Sequence, residues 1–440
     1  MARRDPPELT LILLVAAVQF VNILDFMIVM PLGPDFARAL AIPQSHLGFI
    51  GGAYTAAAAL SGLLGSLYLD KFDRRKALGV AMLGLVIGTA LGGLAEYVAL
   101  VPAVDSLARL TQTPPTLAAL MLARVVAGSF GGPATSLSFS IIADKVPVAR
   151  RGKAMGIVMG AFSIASVLGV PAGLELAQRG GWRLPFFAVA GLGALVAAGS
   201  VFLLPPLVGH LEEAKTAPAG DALKLVTRPL VLLSYATTAT VMMAGFILIP
   251  NISAYVQGNL AYPRGRVGLL YMAGGVCSLL ATQVGGRLVD RLGAFRTAMA
   301  GTVLLLGAVE AGFVLVPPPI PIVLVFMLFM LAMGLRNVSY NTLVSRVPRP
   351  HERARFMSFQ SAVQHFAAAA GAFLSARMLS EVGGKLVGMG AVARITLALS
   401  AVVPVLMLLL ESSVRRRDLA SAEPQPAVAV TTAPATPVEG

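Results

Sequence analysis

Apolar runs of about 20 residues, each long enough to cross a bilayer as an α-helix, alternate along this chain with short polar connections. They predict twelve membrane-spanning helices at approximately 9–32, 46–69, 77–99, 116–141, 154–177, 184–205, 229–252, 266–288, 297–316, 320–343, 357–380 and 391–411. The first run exceeds a secretory h-region, and Pro31-Leu32-Gly33-Pro34 offers no small-x-small cleavage pattern, so it reads as span 1. Two connections are charged in the same way. Asp70-Lys71-Phe72-Asp73-Arg74-Arg75-Lys76 follows span 2, and Asp290-Arg291-Leu292-Gly293-Ala294-Phe295-Arg296 follows span 8, 220 positions later. Each comes after a Gly-rich apolar run, which describes a membrane protein built twice.

The repeat can be followed position by position. At an offset of 220, Gly48 falls on Gly268, Ala53 on Ala273, Leu60 on Leu280, Gly65 on Gly285 and Asp70 on Asp290. At an offset of 202, Arg151 falls on Arg353, Met155 on Met357, Gly169 on Gly371 and Arg183 on Lys385. The change in offset places an insertion in the first half near residues 98–116, a segment containing Asp105 and Arg109. Residues 1–207 are thus expected to form one six-helix half, 208–228 a cytoplasmic linker, and 229–414 a second six-helix half. Residues 415–440, rich in Pro, Ala, Val and Thr, read as a disordered tail.

Composition agrees with a lipid-embedded chain. Hydrophobic residues make up 57% and charged residues 12% of the sequence, against about 25% charged in soluble domains, and the mean hydropathy is +0.80. The net charge of +13 sits in clusters beside apolar spans, a pattern that sets membrane topology rather than one that binds nucleic acid. With a cytoplasmic N-terminus, one side collects Arg3, Arg4, the 71–76 cluster, Lys145, Arg150, Arg151, Lys153, Lys215, Lys224, Arg228, Arg291, Arg296, Arg346, Arg349, Arg353, Arg355 and Arg415 to Arg417. The other side keeps only Arg38, Arg109, Arg179, Arg183, Arg264, Arg266 and Lys385. An excess of about three to one predicts that both termini lie in the cytoplasm. The lone Cys277 cannot form an intrachain disulfide, so stability must come from helix packing.

Several motifs narrow the class. Gly286-Arg287-Leu288-Val289-Asp290-Arg291-Leu292-Gly293 carries the loop pattern Gly-x-Leu-x-Asp-Arg-x-Gly; the first loop keeps Asp70, Arg74 and Arg75 but has Ser66 and Asp73 at the two glycine positions. Span 4 contains Arg124-Val125-Val126-Ala127-Gly128 and Gly131-Gly132-Pro133, and span 5 contains Gly169-Val170-Pro171-Ala172-Gly173 ahead of Gly180-Gly181-Trp182-Arg183. On these motifs nearly the whole chain resembles the major facilitator superfamily. The 25–32 run and the Gly-Trp-Arg turn most resemble its twelve-helix bacterial drug and metabolite (arabinose-type) efflux permeases.

That resemblance implies an all-α fold of two pseudosymmetric halves that expose a central cavity to each side in turn. It also implies a cytoplasmic gate, in which Asp70 faces the start of span 11 near Arg353 and Arg355, and Asp290 faces the start of span 5 near Arg151 and Lys153. Arg74, Arg75, Gly286, Arg291 and Gly293 belong to the same loops. A carboxylate at a helix N-terminus gains ~0.3–1 kcal/mol from the helix dipole; the alternative is that the basic residues only set topology. In span 5, Gly160, Gly169, Pro171 and Gly173 form either a pivot or an ordinary small-residue packing seam.

Ionisable residues inside spans are the best candidates for chemistry, since placing one at the bilayer centre costs at least ~2.5 kcal/mol. Asp25 in span 1 and Arg124 in span 4 both lie about 9–12 Å below one surface, counted at 1.5 Å per residue, so a pair is within reach. An aspartate there can lose its proton while Arg124 is near and regain it when the two separate, which makes proton coupling possible; a static ion pair is the alternative. Gln19, Asn22, Arg336, Asn337, Tyr340, Asn341, Gln360, Gln364 and His365 are candidate cavity residues. Arg336 would suit an anionic substrate if it faces the cavity, and otherwise snorkels. No His-Glu-x-x-His, Gly-x-Ser-x-Gly, phosphate loop or nucleotide fingerprint is present, and His46, His210, His351 and His365 have no metal-ligand spacing. The expectation is therefore a functional monomer without cofactor, driven by the proton gradient and exporting a small organic solute. Proton-coupled import, or an uncoupled receptor or lipid-moving role, are the alternatives.

Overall fold

The computed structural model describes residues 7–208, 222–349 and 352–422. In the first half the principal helices are α1 (Glu8–Val29), α2 (Leu47–Tyr68), α3 (Arg74–Gly93), the short α4 (Pro102–Thr111), α5 (Pro115–Lys145), α6 (Val148–Ile164), α7 (Val170–Gly180) and α8 (Arg183–Leu203). The second half contains α9 (Pro229–Phe246), α10 (Val267–Leu292), α11 (Ala294–Val309), α12 (Ile322–Val344), α13 (Arg353–Met378) and α14 (Met389–Ala422). Among the described residues, 11 helical segments are long and apolar enough to cross a membrane. The expected span 11, α13, is not among them. It has 26 residues, but Gln360, Gln364, His365 and several serines dilute its apolar character. Packing along α2 and α9 encloses much of it in protein, where polar side chains find partners that lipid does not offer.

Local chemistry sets the helix boundaries. Pro102, Pro115 and Pro229 open their helices, positions where the missing N–H removes no helical hydrogen bond. Small residues let helices touch: a Cβ on Gly128 or Gly132 of α5 would strike the backbone carbonyls of Tyr54 or Ala58 on α2, and one on Gly88 of α3 would strike the Ala127 backbone. Large apolar side chains such as Leu83, Leu195 and Phe202 remain exposed on the outside of the bundle, as a lipid-facing surface requires.

The two ends of the chain lie together. Asp35, just past α1, pairs with Arg264, just ahead of α10. The Gln44 backbone N–H, just ahead of α2, donates to Glu381, which lies between α13 and α14. Hence α1 begins and α14 ends at the opposite side of the bundle, here called the terminal face; the side holding Asp35 and Glu381 is the far face.

Three features depart from the sequence expectations. The 98–116 insertion folds into the amphipathic α4, at the far face. Beyond α13 the chain makes an antiparallel hairpin, β1 (Ser380–Val382) and β2 (Lys385–Val387), turned by Gly383 and Gly384 at φ of 59° and 74°, the left-handed geometry of a tight hairpin turn. And α14 continues through Ala422, into the segment expected to be a disordered tail, held where Arg417 Nη1 donates to the Val347 carbonyl at 2.7 Å and Arg346 pairs with Asp418 at 2.8 Å. The rest of that tail (423–440), most of the linker (209–221), His210 and His351 lie outside the described residues.

Candidate functional site: a buried ion pair between α1 and α5

Gln19, Asn22 and Asp25 succeed one another at about one turn of α1, and all three are buried. Opposite them, Arg124 of α5 grips Asp25 with both terminal nitrogens: Nη1 donates to Oδ1 at 3.1 Å, and Nη2 donates to Oδ2. Both side chains are 1% exposed. A bidentate guanidinium–carboxylate pair is among the strongest hydrogen-bonded arrangements available, and burying either member alone is strongly unfavourable.

The surrounding shell was not singled out in the sequence. Thr89 of α3 places its hydroxyl 2.7 Å from Asp25 Oδ1 and 2.8 Å from the Leu85 carbonyl. Its single proton serves one acceptor at a time. Tyr54 of α2 lays its ring against Arg124, with the guanidinium carbon 4.9 Å from the centroid, a cation–π contact. The Tyr54 hydroxyl donates to Asn22 Oδ1 at 2.7 Å. Asn22 Nδ2 in turn donates to the Gly131 carbonyl at 3.0 Å and to Thr135 Oγ1 at 2.7 Å, and the Thr135 hydroxyl donates to Gln19 Oε1 at 3.3 Å. Gly131 makes the arrangement possible, since a Cβ there would strike Tyr54 Oη and Asn22 Oδ1. Thr89 and Tyr54 were the only signal available, as hydroxyl side chains inside apolar spans; a search restricted to ionisable groups passes over them.

The pair is connected to the other half of the molecule. The Tyr54 ring lies 5.2 Å from that of Phe26, which lies 5.9 Å from Phe246 of α9. The ring that covers Arg124 is thus linked through Phe26 to α9.

The remaining expected residues distribute differently. Arg336 does not snorkel: it is buried between Gly301 of α11 and Ser400 of α14, with Nη1 3.4 Å from the serine hydroxyl. Gln364 Nε2 donates to the Tyr340 hydroxyl at 3.0 Å, and Gln360 donates to Thr238. Asn341 is exposed and donates to the Asn337 carbonyl at 2.8 Å. His365 Nδ1 is held 2.8 Å from the Ser361 carbonyl of its own helix.

At the terminal face the two loops are built differently. Gly293 has φ of 90°, a left-handed conformation that favours glycine, and the adjacent Phe295 N–H donates to Glu411 of α14. Asp73, at the corresponding position, has φ of −55° and caps α3. Its Oδ1 accepts from the Arg75 and Leu207 N–H groups, each at 2.9 Å. Arg74 pairs with Asp144 at 3.0 Å, and Arg75 Nη1 donates to the Leu204 carbonyl. Asp290 is exposed and forms no ion pair with Arg151 or Lys153; Arg151 Nε instead points to the Val146 carbonyl at 3.4 Å. Arg291 and Arg353 are exposed, Gly286 has open space beside it, and the side chain of Asp70 lies outside the described residues.

In the span-5 motif, a Cβ on Gly173 would overlap Ile28 of α1, and one on Gly169 would lie 2.8 Å from Leu24. Pro171 follows a π-helical turn at Ala165–Gly169. Gly160 has open space beside it, so it is not part of this seam.

Comparison with known proteins fits this architecture. The model of the Major Facilitator Superfamily matches residues 15–372 and again 234–437, and the chain belongs to that family. A chloramphenicol resistance protein of Streptomyces lividans is 27% identical over 86% of this chain and 91% of its own length. The inner membrane transport protein YdhP of Escherichia coli (strain K12) is 27% identical over 59% of this chain and 62% of its own. An uncharacterized MFS-type transporter of Bacillus subtilis, YtbD, is 28% identical, and the match spans 44% of its length. Among solved structures, a D-xylose-proton symporter superposes with a TM-score of 0.71 at 17% identity, covering 91% of this chain and 97% of that one. An inward-facing, unoccupied bacterial homologue of the lysosomal transporter Spinster gives 0.68 at 16% identity, covering 94% and 99%. The protein is a multi-pass membrane transporter and not an enzyme.

Proposed function

We propose that this transporter is a proton-coupled antiporter that exports a small organic solute, with Asp25 as the proton-carrying group. The buried, bidentate Asp25–Arg124 pair carries the reading. Such a pair is useful for coupling only if both protonation states of the carboxylate can be accommodated, and Thr89 allows this. With Asp25 ionised, the Thr89 hydroxyl donates to Oδ1. With Asp25 protonated, the carboxyl donates to Thr89 Oγ1, whose own proton turns to the Leu85 carbonyl. Arg124 then loses its counter-charge but keeps the face of Tyr54.

Alternating access supplies the two exposures. Polar links between the halves are found at the far face, where Arg264 Nε donates to Asp35 at 2.8 and 2.9 Å, Glu381 accepts from Gln44, and the Ser253 hydroxyl donates to the Pro31 carbonyl at 2.8 Å. They support a state closed at the far face, from which Asp290 and Arg151 approach one another when the terminal face closes. The excess of Lys and Arg at the terminal face favours cytoplasmic termini in a bacterial inner membrane, with α13 as the twelfth span and a monomer as the working unit.

The test uses inverted vesicles acidified inside by respiration, in which export moves solute into the lumen. A drug and metabolite panel is added, including chloramphenicol, the compound named for the Streptomyces relative. Uptake of a panel member should dissipate the pH gradient in proportion to the transporter present. Uptake that leaves the gradient unchanged contradicts antiport.

A further inference from the structure

The insertion that breaks the repeat folds into a helix with three distinct faces. Val104 and Ala108 of α4 are buried and pack on α5. Asp105, Ser106 and Arg109 project on a polar side, where Arg109 pairs with Asp105 at 2.7 Å. The third face carries Ala103, Leu107 and Leu110, all exposed, and Leu100 in the turn ahead of the helix is exposed as well, Leu100 by 78% and Leu110 by 82%. Tyr97, Leu94 and Leu122 on the neighbouring elements are exposed too, and a helix packed on the bundle by one face with an exposed apolar face on another has the make-up of an interfacial helix.

Between α4 and the bundle lies a hollow of about 500 Å³ lined by Glu96, Ala99, Leu100, Pro102, Asp105, Pro115 and Thr116. Its polar lining is two carboxylates and a hydroxyl, with no Lys or Arg. The cations stand beside it instead: Arg183 pairs with Glu96 while lying over the Tyr97 and Trp182 rings, and Arg109 holds Asp105. A hollow whose two carboxylates are each paired with a guanidinium group, beside an exposed apolar stripe, offers both signs of charge to a zwitterionic headgroup with an ammonium at its tip and a phosphate one step behind.

We propose that this hollow binds a phospholipid with a primary-ammonium headgroup, of the phosphatidylethanolamine type, its ammonium on Glu96 and Asp105 and its acyl chains along Leu100, Leu107 and Leu110. A primary ammonium donates three hydrogen bonds to these oxygens, whereas the methylated ammonium of phosphatidylcholine donates none. The site is separate from the Asp25–Arg124 pair and does not depend on proton coupling.

Native mass spectrometry of the full chain, released from bilayers of phosphatidylethanolamine, phosphatidylcholine and phosphatidylglycerol with matched acyl chains, tests it. The wild type should retain the ethanolamine lipid about tenfold over the choline lipid, and Glu96→Gln with Asp105→Asn should remove that preference while the melting temperature stays close to wild type. Equal retention by the wild type, or a preference that survives the double substitution, overturns the proposal. A second variant leaves both carboxylates in place: Leu110→Trp should add fluorescence that is quenched by shallow brominated lipids and protected from aqueous iodide. Quenching by iodide alone overturns the seating of α4 in the bilayer.

Discussion

Thr89 and Tyr54 decide what the buried pair can do, and each can be tested alone. Thr89→Val removes the hydroxyl that serves both protonation states of Asp25 and should shift the pH profile of transport, at a stability cost of about 1 kcal/mol. Thr89→Ser should restore the wild-type profile. Arg124→Leu leaves a buried carboxylate without its partner and should destabilise the protein by ~3–5 kcal/mol, measured as a fall in melting temperature. The loops offer a paired comparison at the same scale. Gly293→Ala forces a side chain into the left-handed region, at ~1–2 kcal/mol, whereas Asp73→Gly meets no backbone strain and should cost about 1 kcal/mol through loss of the acceptor for the Arg75 and Leu207 N–H groups. Asp25 and Arg124 were legible because charge inside an apolar run is conspicuous and their depths matched. Arg336 was equally conspicuous, but residue type and depth do not say which way a helix is rotated, and its placement beside Gly301 and Ser400 could not be read from the sequence.

The seam between α1 and α7 explains the span-5 glycines better than backbone freedom does. Gly173 and Gly169 leave room for Ile28 and Leu24, so Gly173→Val should push the helices apart at ~1–3 kcal/mol, and adding Ile28→Ala should recover part of the lost melting temperature. Failure of that rescue would place the role of Gly173 elsewhere. Hydrophobic run length identified most of the membrane helices, because lipid imposes it directly. It was least informative for α13, whose polar residues are satisfied by protein neighbours, and for α4 and the β1–β2 hairpin. These last two are short elements at the far face, where water removes the demand for apolar runs.

The duplicated loops predicted two related halves, but sequence symmetry did not identify the contacts between the first part of the chain and the second. Asp35 was passed over and Arg264 counted only toward topology, because their partnership spans both halves of the chain. If this pair marks a closed far face, Asp35→Cys with Arg264→Cys, in a chain with Cys277→Ser, should cross-link readily and stop transport until a reductant is added; cross-linked protein that transports at the full rate would remove the pair from the gate. The central claim is that proton movement in the whole transporter passes through Asp25. It is tested most directly by measuring proton release when a transported solute, identified by the vesicle panel, binds purified protein in weakly buffered solution. The wild type should release protons on binding and Asp25→Asn should bind the same solute without releasing any, whereas equal proton release from both proteins would contradict the account.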